Sequence, residues 1–169
     1  MSDPEVTLIP LTEEEREAFF IEEVAGYADQ QVRDAGWPRG GALERAREEL
    51  TPVFEHDYAK GVERGDRLWS AVDRSGRSVG WLWVTPLDDE PSRVAFLEQI
   101  TVAETARHQG YGTAMLAALE ELLAREGIDE LRLNTLRANK PACALYASAG
   151  YEQTGEDERK CYLRKRLRR

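Results

Sequence analysis

The run Arg107-His108-Gln109-Gly110-Tyr111-Gly112 constrains this chain more than any other stretch. An apolar strand pattern, Ser92 to Val102, leads into it, and an amphipathic helix pattern leaves it. Two glycines at a strand-to-helix junction let the backbone turn tightly with no side chain in the way. The first N–H groups of the helix lack intrahelical acceptors and point outward with the positive end of the dipole. Such a junction is either a plain turn or a seat for a phosphate group. Two phosphate motifs are excluded. A P-loop needs Gly-Lys-Ser or Gly-Lys-Thr, which is absent, and a dinucleotide fingerprint needs a small residue where Met115 stands.

The flanking patterns predict alternating strands and helices. Val6 to Leu11 reads as a first strand. Thr12 with Glu15 forms a capping-box pattern for a helix towards Ala35. Gly36 to Gly41 is a loop by composition. A second helix spans Ala42 to about Phe54, with Pro52 at its kink or end, and a short one covers Asp57 to Arg64. Arg67–Asp73 and Ser78–Thr85 read as an antiparallel hairpin, followed by an acidic loop, Pro86 to Pro91. Ser92–Val102, a helix from Gly110 to about Glu126, and Glu130–Thr135 make a βαβ unit, so that strand pair is expected to be parallel. In its helix, Met115, Leu116, Leu119, Leu122 and Leu123 form one apolar face. Asn139 caps a helix with Pro141 in its first turn, ending at Gly150. A short strand, Glu152 to Thr154, a polar turn, Gly155 to Glu158, and a last strand, Lys160 to Leu167, complete the order. No repeat or linker interrupts it, so residues 1–169 read as a single domain.

A net charge of -9 over 169 residues argues against general nucleic-acid binding, which needs a basic footprint. It suits a cationic small-molecule substrate as well as plain solubility. No apolar run approaches the ~20 residues of a membrane span. The start, MSDPEVTLIP, lacks the pattern of a signal peptide, and Cys143 and Cys161 make a poor disulfide framework. The expectation is a cytoplasmic protein with reduced thiols.

Two side chains stand out as candidates for chemistry. Glu98 alternates in register with Val94, Phe96, Ile100 and Val102, which puts a carboxylate on an apolar face. Burial there raises a carboxyl pKa towards that of a general base at neutral pH. Alternatively, a bulge or the end of the strand turns Glu98 to solvent or into an ion pair. Tyr146 lies among small residues, Ala142, Ala149 and Gly150, which let another group approach its hydroxyl. The alternative is a core tyrosine with a satisfied hydroxyl. His56 and His108 have no partners at metal-ligand spacing, so no metal site is expected. Cys143 reads as a small packing residue, and Trp69, Trp81 and Trp83 as core or sheet-face residues.

Taken together, AFLEQITV, then RHQGYG, then NKPACALYASAGY resembles the GCN5-related N-acetyltransferase (GNAT) superfamily. RHQGYG matches its (Arg/Gln)-x-x-Gly-x-(Gly/Ala) loop. NKPACALYASAGY matches its Asn-x-x-Ala-x-x-x-Tyr-x-x-x-Gly-(Phe/Tyr) helix. The resemblance covers Ser78 to Tyr151. It implies an α/β (α+β) fold: a mixed, mostly antiparallel twisted sheet of about six to seven strands, flanked by helices and splayed at its parallel pair. It also implies acetyl-CoA as cosubstrate, with no metal, and an amine acceptor on a small molecule or peptide. The cofactor's pyrophosphate would rest on the loop, at Arg107, His108, Gln109, Gly110, Tyr111, Gly112 and Thr113. Its pantetheine arm would lie along Ile100, Thr101 and Val102, with Asn139 and Ala142 beside it. Tyr146 would donate a proton to the leaving thiolate, and Glu98 would act as general base. No nucleic acid or membrane partner is implied, and the chain is expected as a monomer or homodimer. A non-catalytic acyl-CoA sensor on the same fold is the alternative. The acceptor pocket is expected from the first two helices and the last hairpin, where Phe19, Phe20, Tyr27 and Trp37 are either lining or core residues.

Overall fold

The computed structural model describes residues 4–52, 65–87 and 93–167. They fall into two compact units, Met1–Pro10 with Gly65–Arg169, and Leu11–Arg64. The larger unit holds seven strands: β1 (Val6–Pro10), β2 (Arg67–Asp73), β3 (Ser78–Leu87), β4 (Val94–Val102), β5 (Glu130–Leu136), β6 (Glu152–Glu156) and β7 (Lys160–Arg166). They form one sheet in the order β1-β2-β3-β4-β5-β7-β6. Among the described residues, only β4 and β5 pair in parallel, and every other ladder is antiparallel.

That arrangement follows from connection lengths. β2 and β3 are joined by a tight turn at Arg74–Arg77, which permits only antiparallel pairing. β4 and β5 are joined through α3 (Tyr111–Arg125), a crossover long enough to bring the chain back parallel. Met115, Leu116, Leu119 and Leu123 are buried on one face of α3, and Leu122 is half-buried beside them. They join a core of Leu82, Val84, Ala95, Leu97, Leu131 and Leu133 from the sheet. Gly80 is a glycine by necessity: a Cβ there would meet the Thr101 carbonyl oxygen at 2.2 Å and Met115 Cε at 2.7 Å. Three further α-helices belong to the described structure: α1 (Glu13–Asp34), α2, helical over residues 42–52, and α4 (Lys140–Ser148).

In the smaller unit α1 starts at the expected capping box. Glu15 N donates to Thr12 Oγ1 at 3.3 Å, and Thr12 N donates to Glu15 Oε2 at 2.7 Å. Val24 and Ala28 of α1 pack on Ala42 and Ala46 of α2, with Phe20, Tyr27 and Trp37 against them. Tyr27 and Trp37 meet edge-on at 5.9 Å, and the Arg45 guanidinium covers Trp37 at 4.0 Å. Tyr27 and Trp37 are thus committed to this small core.

Several boundaries differ from the sequence reading. β3 runs on through Pro86 and Leu87, where Pro86 pairs with Ala95 at the end of the ladder. β6 continues through Gly155 and Glu156, because a shift between Gln153 and Gly155 absorbs Thr154 and lets pairing resume. α2 is helical up to Pro52, the last described residue of that stretch, so the kink or end expected there lies outside the described residues. The predicted helix at Asp57 to Arg64 lies outside the described residues, as do the end of α2 and most of the acidic loop. No described helix is long and apolar enough to cross a membrane.

Candidate active site

β4 changes character at Glu98. On its β3 side, Trp83 faces Gln99 and Val84 faces Leu97, so Glu98 has no opposite residue. This is a β-bulge, and it bends the strand and re-aims the side chain. On its β5 side, the parallel ladder runs from Val94 opposite Glu130 to Leu97 opposite Leu133 and stops there. Beyond that point Ile100, Thr101 and Val102 pair only with β3, and Asn134, Thr135 and Leu136 pair only with β7. Among the described residues, the parallel ladder does not resume beyond Leu97 and Leu133.

Of the two readings open for Glu98, the bulge gives the exposed one. Its side chain is exposed, and its Oε1 accepts a hydrogen bond from Thr85 Oγ1 at 2.9 Å. Strand alternation across the bulge is lost, so the apolar face is carried by Ala95, Leu97 and Ile100 opposite Val84 and Leu82. The exposed carboxylate is therefore held next to the point where the strands part.

The chain after β4 is tied down before it turns. Ala103 N donates to Val79 O at 2.8 Å, and a 3-10 turn, Glu104–Ala106, buries Ala106. Arg107 Nε then donates back to the Val102 carbonyl at 3.2 Å, and Gln109 Nε2 to Thr105 O at 3.1 Å. His108 (φ 60) and Gly110 (φ 84) both take left-handed backbone, which costs a non-glycine residue roughly 1 kcal/mol or more. Arg107, His108, Gln109 and Gly110 are exposed. Gly110 is the N-cap of α3, with no side-chain cap and no acidic residue in the first turn. In contrast, α1 uses Thr12, and α4 uses Asn139, whose Oδ1 accepts from Ala142 N at 3.2 Å. The backbone N–H groups of Tyr111, Gly112 and Thr113 start α3 with that positive end unshielded by a side chain. The Tyr111 hydroxyl points elsewhere, towards Asp73 Oδ2 at 3.5 Å.

α3 and α4 meet β4 at this end of the sheet. A Cβ built on Gly112 would lie 3.6 Å from Leu145 of α4 and 3.6 Å from Val102 of β4. One residue along α4 from Leu145 is Tyr146, 6 % exposed, with its ring edge-on to Tyr151 at 5.6 Å. Burial, with the Cys143 thiol nearby, pushes the Tyr146 hydroxyl up to about 12. It is a protonated donor throughout the neutral range. Ala142 is half-buried against the same core.

Sequence reasoning missed Thr85 as the partner of Glu98 and Tyr151 as the partner of Tyr146. It also missed the pair formed by Lys165 Nζ and Glu120 Oε2 at 2.5 Å, with the ammonium 5.7 Å from the Tyr151 ring centre. Tyr151 was visible only as the last residue of a helix motif. Thr85 carries no local signal, since its role depends on a bulge in the neighbouring strand. In chemical terms, a parted strand pair can take up an extended amide-bearing chain, and uncapped helix N–H groups can donate to an anionic end.

Residues 13–151 match the family model described as Acetyltransferase (GNAT) family. The chain is 28% identical over 155 residues to the uncharacterized N-acetyltransferase YdgE of Bacillus subtilis (strain 168), covering 91% of this chain and 96% of that one. It is 40% identical over 141 residues to the aminoglycoside N(6')-acetyltransferase type 1 of Serratia marcescens, covering 80% and 89%. Among solved structures, YycN from Bacillus subtilis superposes with a TM-score of 0.70 at 27% identity, covering 90% of this chain and 95% of that one. The spermidine N-acetyltransferase of Vibrio cholerae, solved with CoA and spermine, has the same fold, with a TM-score of 0.67 at 14% identity and 96% of each chain covered. The parted parallel pair, the uncapped glycine turn and the match over residues 13–151 agree, and the chain belongs to the Acetyltransferase (GNAT) family.

Proposed function

We propose that this protein is an acetyl-CoA-dependent N-acetyltransferase that passes the acetyl group directly to a primary amine of a small cationic molecule. The observation that carries the reading is the end of the parallel ladder at Leu97 and Leu133, with the uncapped start of α3 following the freed stretch of β4. The residues present fit the ligand. Amides of Gln109 to Thr113 would hold the pyrophosphate, with Arg107 and His108 at the rim. The β4 edge at Ile100, Thr101 and Val102 would hydrogen-bond the pantetheine arm, and Asn139 and Ala142 would flank it. Acetyl-CoA supplies an acyl group activated as a thioester.

The protein's own groups account for the proton traffic. An alkyl ammonium has a pKa near ~10.4 and must lose a proton before it attacks. Glu98, exposed and fixed by Thr85, is the general base, directly or through water. Backbone N–H groups of β4 beyond Leu97 are the donors for developing negative charge on the carbonyl oxygen. Tyr146 holds a proton until well above pH 10 and is the donor to the departing sulfur. No nucleophilic side chain is required. The acceptor class rests on the net charge of -9 and on the aminoglycoside and spermidine substrates that two similar proteins are named for.

Calorimetric titration with CoA tests the reading. Saturable one-to-one binding that weakens as salt rises is expected, because the anionic end is held by dipoles and charge. Absence of binding at millimolar CoA overturns it. Binding without acetyl transfer to any cationic amine would shift the reading to an acyl-CoA sensor.

A further inference from the structure

The proposed acetyl transfer uses neither cysteine, yet the fold sets Cys143 near Tyr146 and both cysteines at the same end of β5. Cys161 lies on β7 directly opposite Thr135 of β5. Residues so opposed in an antiparallel ladder sit ~4.5–5.5 Å apart. Cys143 lies on α4, and its Sγ is 3.7 Å from the carbonyl oxygen of Leu136, the residue next to Thr135. The Cys143 sulfur is thus stationed over the end of β5 that Cys161 flanks.

The side chain of Cys161 is on the correct face for a meeting. Alternation along β7 places Cys161 with Leu163 and Lys165. Lys165 reaches Glu120 of α3, and Leu163 packs into the core that contains Tyr146. That face is the one on which α3 lies, and α4 meets α3 where Leu145 approaches Gly112. Both thiols are free and half-buried. Partial burial pushes the Cys161 thiol up, and Cys143 pushes it the same way, by charge and by hydrogen bonding. The contact of Cys143 with Leu136 and the register of Cys161 opposite Thr135 set both sulfurs at the same end of β5.

We propose that Cys143 and Cys161 form a reversible intramolecular disulfide that ties α4 to β7 and lowers acetyl transfer. The second half of this statement rests on the role proposed for Tyr146. The oxidant is a low-molecular-weight disulfide, RSSR. The Cys143 thiolate attacks one sulfur, forming a mixed disulfide and releasing RS⁻. Cys161, whose raised thiol stays protonated longer, loses its proton to solvent and attacks the Cys143 sulfur, releasing a second RS⁻. The net change is two protein thiols and RSSR to one protein disulfide and two RSH.

The link to activity is geometric. Cys143 and Tyr146 are three residues apart and share a side of α4. A disulfide holds its two Cβ atoms ~3.5–4.5 Å apart, so forming it draws the first turn of α4 towards β7. That turn carries Asn139 and Ala142, and the next carries Tyr146. A shift of about 1 Å in a positioned group lowers turnover by as much as ~100-fold.

The experiment treats the full chain with glutathione disulfide and follows two readouts. Peptide mass spectrometry should find Cys143 joined to Cys161, with two hydrogens lost and no glutathione retained. Turnover, followed by loss of thioester absorbance, should fall by roughly tenfold or more and return with dithiothreitol. Cys161→Ser, and separately Cys143→Ser, should keep the reduced rate and melting temperature and resist the oxidant. Persistence of both thiols, stable mixed adducts alone, or a joined pair with full turnover overturns the proposal. A reduced chain that never turns over contradicts the proposed function instead, and the mass readout still decides the pairing.

Discussion

Leu97 and Leu133 are the last residues to face each other across the parallel pair, and the residue that follows Leu97 is the bulged Glu98. One irregularity therefore ends a ladder and turns a carboxylate out of the core. If Glu98 is the general base, Glu98→Gln should abolish the ascending limb of kcat/KM against pH and lower the plateau by ~100-fold. The fold should survive, since the side chain is exposed and the amide keeps the bond from Thr85. A pH profile superimposable on the parent would exclude Glu98 as the titrating group.

Tyr146→Phe should lower kcat by about 10²-fold and leave CoA affinity within a factor of two or so, because the ring packing is kept and the proton donor is lost. An unchanged kcat in a chemistry-limited assay removes the acid role. The same hydroxyl makes a stability prediction. Its folded value of about 12 is above the value of 10.0 for a free tyrosine, so the folded state holds the proton more tightly. The contribution is fully present below pH ~10 and is lost as pH rises towards ~12, about 2–3 kcal/mol in all. Denaturant titrations at pH 9 and pH 12 should show a smaller alkaline loss in Tyr146→Phe than in the parent.

Gly112 and Gly110 should separate ligand from fold. Gly112 has ordinary helical backbone, and an added Cβ would make only ordinary contacts with Leu145 and Val102. Gly112→Ala should leave the protein as stable or stabilise it by ~0.5 kcal/mol, while weakening CoA binding tenfold or so. Gly110 has φ 84, and a Cβ there would crowd Pro4 at 3.3 Å. Gly110→Ala should destabilise by about 1–2 kcal/mol. Paired calorimetry and chemical denaturation decide both; an equal loss of stability in the two variants would contradict the distinction.

At the other end of the pH scale, hydrogen bonds from Ser75, outweighing partial desolvation, hold the Asp73 carboxyl down to about 2. Tyr162 and the backbone of Arg159 and Lys160 hold Asp157 down to about 2 as well. Each favours the folded state above its ordinary value of 3.8, and that support is lost as pH falls through about 2. Asp73→Asn should flatten the acid limb of stability between pH 4 and pH 2. A slope equal to that of the parent would show that the turn bonds are not retained in solution.

Much of this was legible in the chain itself. Periodicity located α3 because its apolar positions serve one core, and caps located α1 and α4 because Thr12 and Asn139 act within a few residues of their targets. The glycine turn was legible because φ 84 at Gly110 is a local demand. What failed was non-local. Alternation left Glu98 either inside or turned out by a bulge, and only the register of β3 against β4 decides for the bulge. The proximity of Cys143 and Cys161 depends on α4 folding over the end of β5, and nothing within either segment records it.

The most direct measurement is CoA release from acetyl-CoA in the presence of aminoglycosides and polyamines, with the protein fully reduced. The account predicts release that depends on both protein and amine, saturates with the amine, and falls about 10²-fold in Tyr146→Phe. Release no faster than the uncatalysed rate with every amine in the panel, by a protein that melts cooperatively, would contradict it.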